Sequence, residues 1–140
     1  MTLEQRKQKL REDFKILPTW EDKFLYLLDM TREVNPLPDP HKTQETYIQG
    51  CQSDAWLLVR QEERNIHIRG DAAAITTKGI IGLLIFLYSG ISPEELKEED
   101  FKIFEELHII NHLSPNRVNG FYQMIGRLRR MCADVHGSQI

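Results

Sequence analysis

Apolar positions in this chain follow two different periods, separated by stretches that can follow neither. Leu3, Leu10 and Phe14 share one side of a segment otherwise filled by Arg6, Lys7, Lys9 and Glu12, which predicts a helix over residues 3–14 with a narrow buried face. Pro18 closes that segment. Thr19 is placed to cap a second helix, with Asp22 at the reciprocal third position and Trp20, Phe24, Leu27 and Leu28 as its inward stripe, running to about Val34. Residues 35–46, NPLPDPHKTQET, carry three prolines and predict an ordered loop, because proline can neither continue a helix nor serve a central strand.

The period then changes. Trp56, Leu57, Leu58 and Val59 put apolar groups on both faces of a strand over residues 54–60. QEERN is a polar turn. In IHIR the alternation is clean, with Ile66 and Ile68 inward and His67 and Arg69 outward. Together they predict a hairpin, with a preceding strand around Tyr47 and Ile48. Residues 72–89 are apolar nearly all round, which predicts a central helix capped by Asp71 and stopped at Gly90. Two Ser-Pro pairs start the remaining helices. Ser92 caps, Pro93 takes the first helical position and Glu95 completes a capping box; Ser114 and Pro115 begin the last helix, to about residue 135. Val118, Phe121, Tyr122, Ile125, Leu128, Cys132 and Val135 form its stripe, with Arg127, Arg129 and Arg130 on the other sides. Residues 94–106 hold seven acids against two lysines, which reads as a solvated face. The resulting expectation is an α+β fold, a small antiparallel sheet packed against several helices, in a single domain over residues 1–140.

Composition narrows the function classes. Hydrophobic residues are 41%, charged residues 28%, and the net charge is −3, so there is no general nucleic-acid surface. The most apolar window, GIIGLLIFLY at 79–88, is half the roughly twenty residues a membrane span needs. The amino terminus has no apolar signal region. These features predict a soluble, cytoplasmic protein with reduced thiols.

Two cysteines, Cys51 and Cys132, make no disulfide framework and lack metal-ligand spacing. His108 and His112 are four apart, but Ile109 stands where the zinc-protease motif needs glutamate. GDAAAITTKG lacks both the dinucleotide and the P-loop glycine spacing. No cofactor or metal is therefore expected. Cys132 belongs to a helical stripe and reads as a small hydrophobe. Cys51 stands differently, in Gln49-Gly50-Cys51-Gln52-Ser53, at a polar corner just before a buried strand. A rigid scaffold can display a thiol there, or the thiol can fill a gap under the loop; the local residues leave both open. No lysine or arginine adjoins it, so its acidity depends on the fold.

IQGCQSDAWLLVR closely resembles the SufE family of sulfur-acceptor proteins. LPTWEDKFLYLLDM, IRGDAAAITTKGIIGLLIFLYSG and HLSPNRVNGFYQMIGRLR resemble their family counterparts in the same order, so the likeness runs from about residue 10 to residue 133. The resemblance implies a role in iron–sulfur cluster assembly. The partner would be a cysteine desulfurase, whose pyridoxal phosphate is its own, and an iron–sulfur scaffold complex would receive the sulfur. Cys51 would be the persulfide acceptor, with Gln49, Gly50, Gln52 and Ser53 as its loop. Arg117, in the Ser-Pro-x-Arg element, would brace that loop through carbonyls or steady the sulfur anion, and His112 would hold the start of the last helix. The chain would be a carrier that stimulates the desulfurase rather than an enzyme. A cluster-building scaffold and a binding domain with an inert thiol are the alternatives. The family usually has aspartate two positions after Asp71, where this chain has Ala73.

Overall fold

The computed structural model describes residues 1–49 and 53–138, with side chains through residue 131. Gly50, Cys51 and Gln52 lie outside the described residues, as do the side chains of Cys132 and Val135. Six α-helices and one two-stranded antiparallel sheet make up the described chain: α1 (Leu3–Lys15), α2 (Trp20–Asp29), β1 (Ala55–Glu62), β2 (Asn65–Ala72), α3 (Ile75–Tyr88), α4 (Pro93–Lys97), α5 (Ile103–Glu106) and α6 (Pro115–Ser138). The α+β expectation therefore holds.

The central helix is α3. Eleven of its residues, from Thr76 to Tyr88, are buried, and it packs against β2, α1, α2 and the turn that follows α2. Two glycines allow the last contact. A Cβ at Gly79 would lie 2.3 Å from the Leu27 carbonyl oxygen, and one at Gly82 would lie 1.9 Å from that of Met30. Backbone meets backbone there, which leaves no room for any other residue. Where the pattern predicts helix up to Val34, α2 ends at Asp29 and a 3-10 turn, Met30–Glu33, takes over. The Thr31 hydroxyl donates to the Leu28 carbonyl at 2.7 Å within this tightened end. Of the predicted stripe only Leu27 is fully buried; Trp20, Phe24 and Leu28 are half-covered.

The hairpin is longer than its alternation suggests. Ala55 pairs with Ala72 and Glu62 with Asn65, so a two-residue turn, Glu63-Arg64, replaces the longer polar one. Glu63 takes φ 57° there, as the first central residue of a tight hairpin must. Leu57, Val59, Ile66 and Ile68 face the core. The preceding strand reduces to one bridge, Tyr47 with Trp56.

Asp71 does not cap α3, contrary to the sequence expectation. It ends up inside β2, accepts from the Ala72 amide at 2.9 Å, and lies 3.6 Å from Lys42 and 3.7 Å from Lys78. Ala74 occupies the cap position with no side-chain bond. The hairpin pairing wins because the ladder continues past Asp71, opposite Trp56, to Ala72 opposite Ala55, which holds Asp71 in an extended strand. Gly90 does stop α3, at φ 88°. Ser92 caps α4 by accepting from the Glu95 amide at 3.1 Å. Glu95 does not return the bond to the Ser92 backbone; its carboxylate accepts from the Leu3 amide of α1 at 3.3 Å.

The acidic run is also less solvated than its composition suggests. Lys7 joins Leu3, Leu10 and Phe14 on the buried face of α1 and pairs with Glu99, whose side chain is 2% exposed. The Tyr88 hydroxyl donates to the same carboxylate at 2.5 Å. Arg11 bonds Glu106 at 2.6 Å. Three acids of the run thus fasten α1 to the rest of the molecule.

Candidate functional site

Ile48 and Ala55 are both fully buried, and the chain between them carries the cysteine. The two ends of this excursion are joined by backbone bonds. The Ile48 amide donates to the Ala55 carbonyl at 2.8 Å, and the Leu57 amide donates to the Thr46 carbonyl at 2.8 Å. Thr46 is itself buried, its hydroxyl donating to the His41 carbonyl at 2.6 Å. Gln49 is exposed and Ser53 half-buried, so the described part of the predicted loop leaves the core at Ile48 and re-enters it at Ala55.

A single arginine clamps both stems. The Arg127 guanidinium donates to the Thr46 carbonyl at 2.7 Å, the Tyr47 carbonyl at 2.9 Å and the Leu57 carbonyl at 2.8 Å. Burial, and then the nearby Arg130, pull its pKa below the usual arginine value, and it remains a cation with carbonyl partners. A planar fork of donors suits this geometry, because one group reaches two chain segments at once. The role envisaged for Arg117 from the sequence, bracing the loop through carbonyls, is thus one that Arg127 fills at the stems. The signal for it was present but faint. Arg127 follows Met124 by three residues and precedes Met131 by four, which places it on the inner edge of the α6 stripe rather than opposite it.

The outer surface of the stems is aromatic and charged. The Tyr47 and Trp56 rings meet edge to face at 6.1 Å, and the Tyr47 hydroxyl donates to Asp54 at 3.0 Å. Lys42 lies 5.0 Å over the Trp56 ring while reaching Asp71. The Asp54 carbonyl accepts from the Ala73 amide at 2.9 Å, so the position where the family usually carries aspartate holds the exit stem through its backbone. Ile75, 59% exposed, stands beside it at the start of α3.

The other sequence-predicted residues lie as follows. Arg117 is in the first turn of α6, half-buried, its amide 3.4 Å from the Ser114 hydroxyl. Among the described residues its guanidinium makes no ion pair, including none with the acids of residues 94–106. His112 ends a 3-10 turn, Ile110–His112, and its ring stacks on Trp20 at 4.4 Å and 10°. That contact ties the approach to α6 onto the start of α2. Among the described residues no cluster of three histidine, cysteine or acidic side chains could hold a metal, and no helix is long and apolar enough to cross a membrane.

The solution structure of a hypothetical protein from Thermus thermophilus has the same fold. It aligns with a TM-score of 0.76 over 92% of this chain and 94% of its own, at 23% identity. Residues 8–132 match the SufE family, described as an Fe-S metabolism associated domain, a span that runs from α1 through both stems and Arg127 into α6. The chain belongs to the SufE family, and its setting is iron–sulfur metabolism.

Proposed function

We propose that the protein accepts sulfur on Cys51 from a pyridoxal-phosphate-dependent cysteine desulfurase and passes it to an iron–sulfur scaffold complex, in the cytoplasm. The observation that carries this reading is the clamp. In this SufE-family chain Cys51 falls, in sequence, between two stems that the half-buried Arg127 holds through three carbonyls. Rigid stems under a short polar excursion suit a thiol that must enter another protein's cleft and return.

The chemistry is thiol–persulfide exchange. The Cys51 thiolate attacks the terminal sulfur of the desulfurase persulfide. The new sulfur–sulfur bond forms as the old one breaks, the desulfurase thiolate leaves, and the proton lost from Cys51 goes to solvent. No net oxidation occurs, and the outer sulfur is carried as a persulfide. Transfer to the scaffold repeats the exchange in the other direction. The pyridoxal phosphate stays with the desulfurase, and removing its persulfide frees that enzyme for another turnover. This chain acts as a carrier and activator and not as an enzyme. Gln49, Gly50, Gln52 and Ser53 form the loop that meets the partner. Arg117 steadies the sulfur anion or the docked partner, and His112 fixes the approach to its helix through Trp20.

The test is intact-protein mass after incubation with desulfurase and cysteine. The expected product carries one added sulfur, about 32 mass units, absent from Cys51→Ser. An equal adduct on Cys51→Ser, carried by Cys132, would refute the assignment. Arg117→Lys is expected to stay folded and accept sulfur more slowly, and Arg117→Ala more slowly again. Unchanged rates in both would return Arg117 to the surface.

A further inference from the structure

Along the outer face of the hairpin lies the proline-rich segment, and between the two is a groove of about 230 Å³ lined by Asn35, Leu37, His41, Leu58, Arg60, Glu62, His67 and Arg69. We propose that this groove binds a small polyanion, one carrying two or more phosphate or carboxylate charges, held chiefly by Arg60 and Arg69.

Three observations support the site independently of the cysteine. First, the pairing register gathers two arginines on one face. Arg60 stands opposite the His67 imidazole, and Arg69, opposite Leu58, is the diagonal neighbour of Arg60. Two guanidinium charges within reach of each other across a strand pair repel, and an anion between them relieves that repulsion. Second, among the described residues neither guanidinium has an ion-pair partner, although the chain has 21 acids against 18 bases. The acids near this face are engaged elsewhere, Asp39 with Lys42, and Asp71 with Lys42 and Lys78. The single carboxylate in the lining, Glu62, is the next residue along the same face from Arg60, beside the hairpin turn, and forms no ion pair with it. Third, the facing wall is fixed in place. Leu37 is 2% exposed, and the Asn35 carbonyl accepts from the Gly70 amide at 3.2 Å, so the segment is fastened to β2 and brings His41 and Asn35 to the groove.

Size narrows the ligand. A groove of about 230 Å³ has room for several waters, and so for a group the size of a diphosphate or a small di- or tricarboxylate. Guanidinium forks match the paired oxygens of both groups.

The experiment is a titration of the full chain with inorganic pyrophosphate, and separately with citrate, followed by backbone amide NMR at constant ionic strength. The expected result is saturable shifts confined to residues 35–41, 58–62 and 67–70. Affinity should fall roughly tenfold in Arg60→Gln and in Arg69→Gln, and further in the double variant. A lysine control far from the groove, Lys23→Gln, should leave it unchanged. Saturation by pyrophosphate alone assigns a phosphate ligand, and by citrate alone a carboxylate one. Thermal melts without ligand show that each variant is folded. Shifts spread over all basic surfaces, equal binding by the double variant, or binding of an acidic peptide where neither small anion saturates would overturn the proposal. Sulfur acceptance on Cys51 is a separate readout and is expected to be unchanged in both variants.

Discussion

Arginine is used in two ways in this molecule, and the contrast separates holding a fold from holding a site. On the α1 side, Arg6 donates to the carbonyls of Phe86, Leu87 and Ser89 at 3.4, 3.2 and 2.6 Å. Those are the carbonyls that the end of α3 leaves without helical partners, and they belong to one continuous segment. On the other side, Arg127 also takes three carbonyls, but from two segments, one before and one after the cysteine loop. Arg6 completes a helix end that Gly90 already terminates. Arg127 ties two chain segments that backbone bonds and the Tyr47 hydroxyl on Asp54 also join. The α1 side has a second fastening, the buried ion pair of Lys7 with Glu99, to which Tyr88 donates.

The comparison breaks most easily at the buried ion pair. Lys7→Met leaves the Glu99 carboxylate buried with the Tyr88 hydroxyl as its main partner, and unfolding stability should fall by about 3–5 kcal/mol. Sulfur acceptance by the folded fraction should be unchanged. Chemical denaturation beside a transfer assay checks both halves. Replacing the pair together, Lys7→Met with Glu99→Leu, should recover most of the loss, because two charges are then removed from a dry site.

Arg127→Met is the discriminating change. Three carbonyls lose a charged donor, and since the side chain is half-buried, water can replace part of the loss. The cost should be about 2–3 kcal/mol. Unlike Lys7→Met, it should also slow persulfide formation on Cys51 at saturating desulfurase, by about tenfold or more if the stems position the thiol. Arg127→Lys should recover stability better than rate, since an ammonium can meet one stem but serves both poorly. Equal loss of both, or an unchanged rate, would reduce Arg127 to a structural brace.

Arg6→Met should cost about 1 kcal/mol and leave the transfer rate alone, because solvent can satisfy carbonyls at a partly exposed helix end. A loss as large as that of Arg127→Met would erase the distinction between the two arginines.

The smallest effect at neutral pH is carried by Tyr88. Burial first, and then Glu99, raises its pKa far above the ordinary tyrosine value. In the unfolded chain it titrates near pH 10. The folded value is the higher one, so the stability contribution is complete below about pH 10 and is lost as the pH rises further. Tyrosinate absorbance from Tyr88, and from the likewise raised Tyr26, should therefore appear only as the protein unfolds.

Much of this protein was legible from short-range pattern. The stripe of α1, the Thr19 and Ser92 caps, the stop at Gly90, the inward Ile66 and Ile68, and the buried length of α3 depend on neighbours within a few residues, which the sequence displays directly. Tertiary structure alone decided which charges are structural. Lys7 belongs to the inner face because Glu99, ninety-two residues away, meets it there. Asp71 is a strand residue because hairpin pairing outcompetes a cap. Arg127 holds the carbonyls of Thr46, Tyr47 and Leu57 because the fold lays α6 across stems 70 to 81 residues earlier in the chain. Periodicity records which side of an element is apolar. It carries no record of which carbonyl or carboxylate the fold will bring to a long cationic side chain, because that choice is made between elements that are distant in sequence.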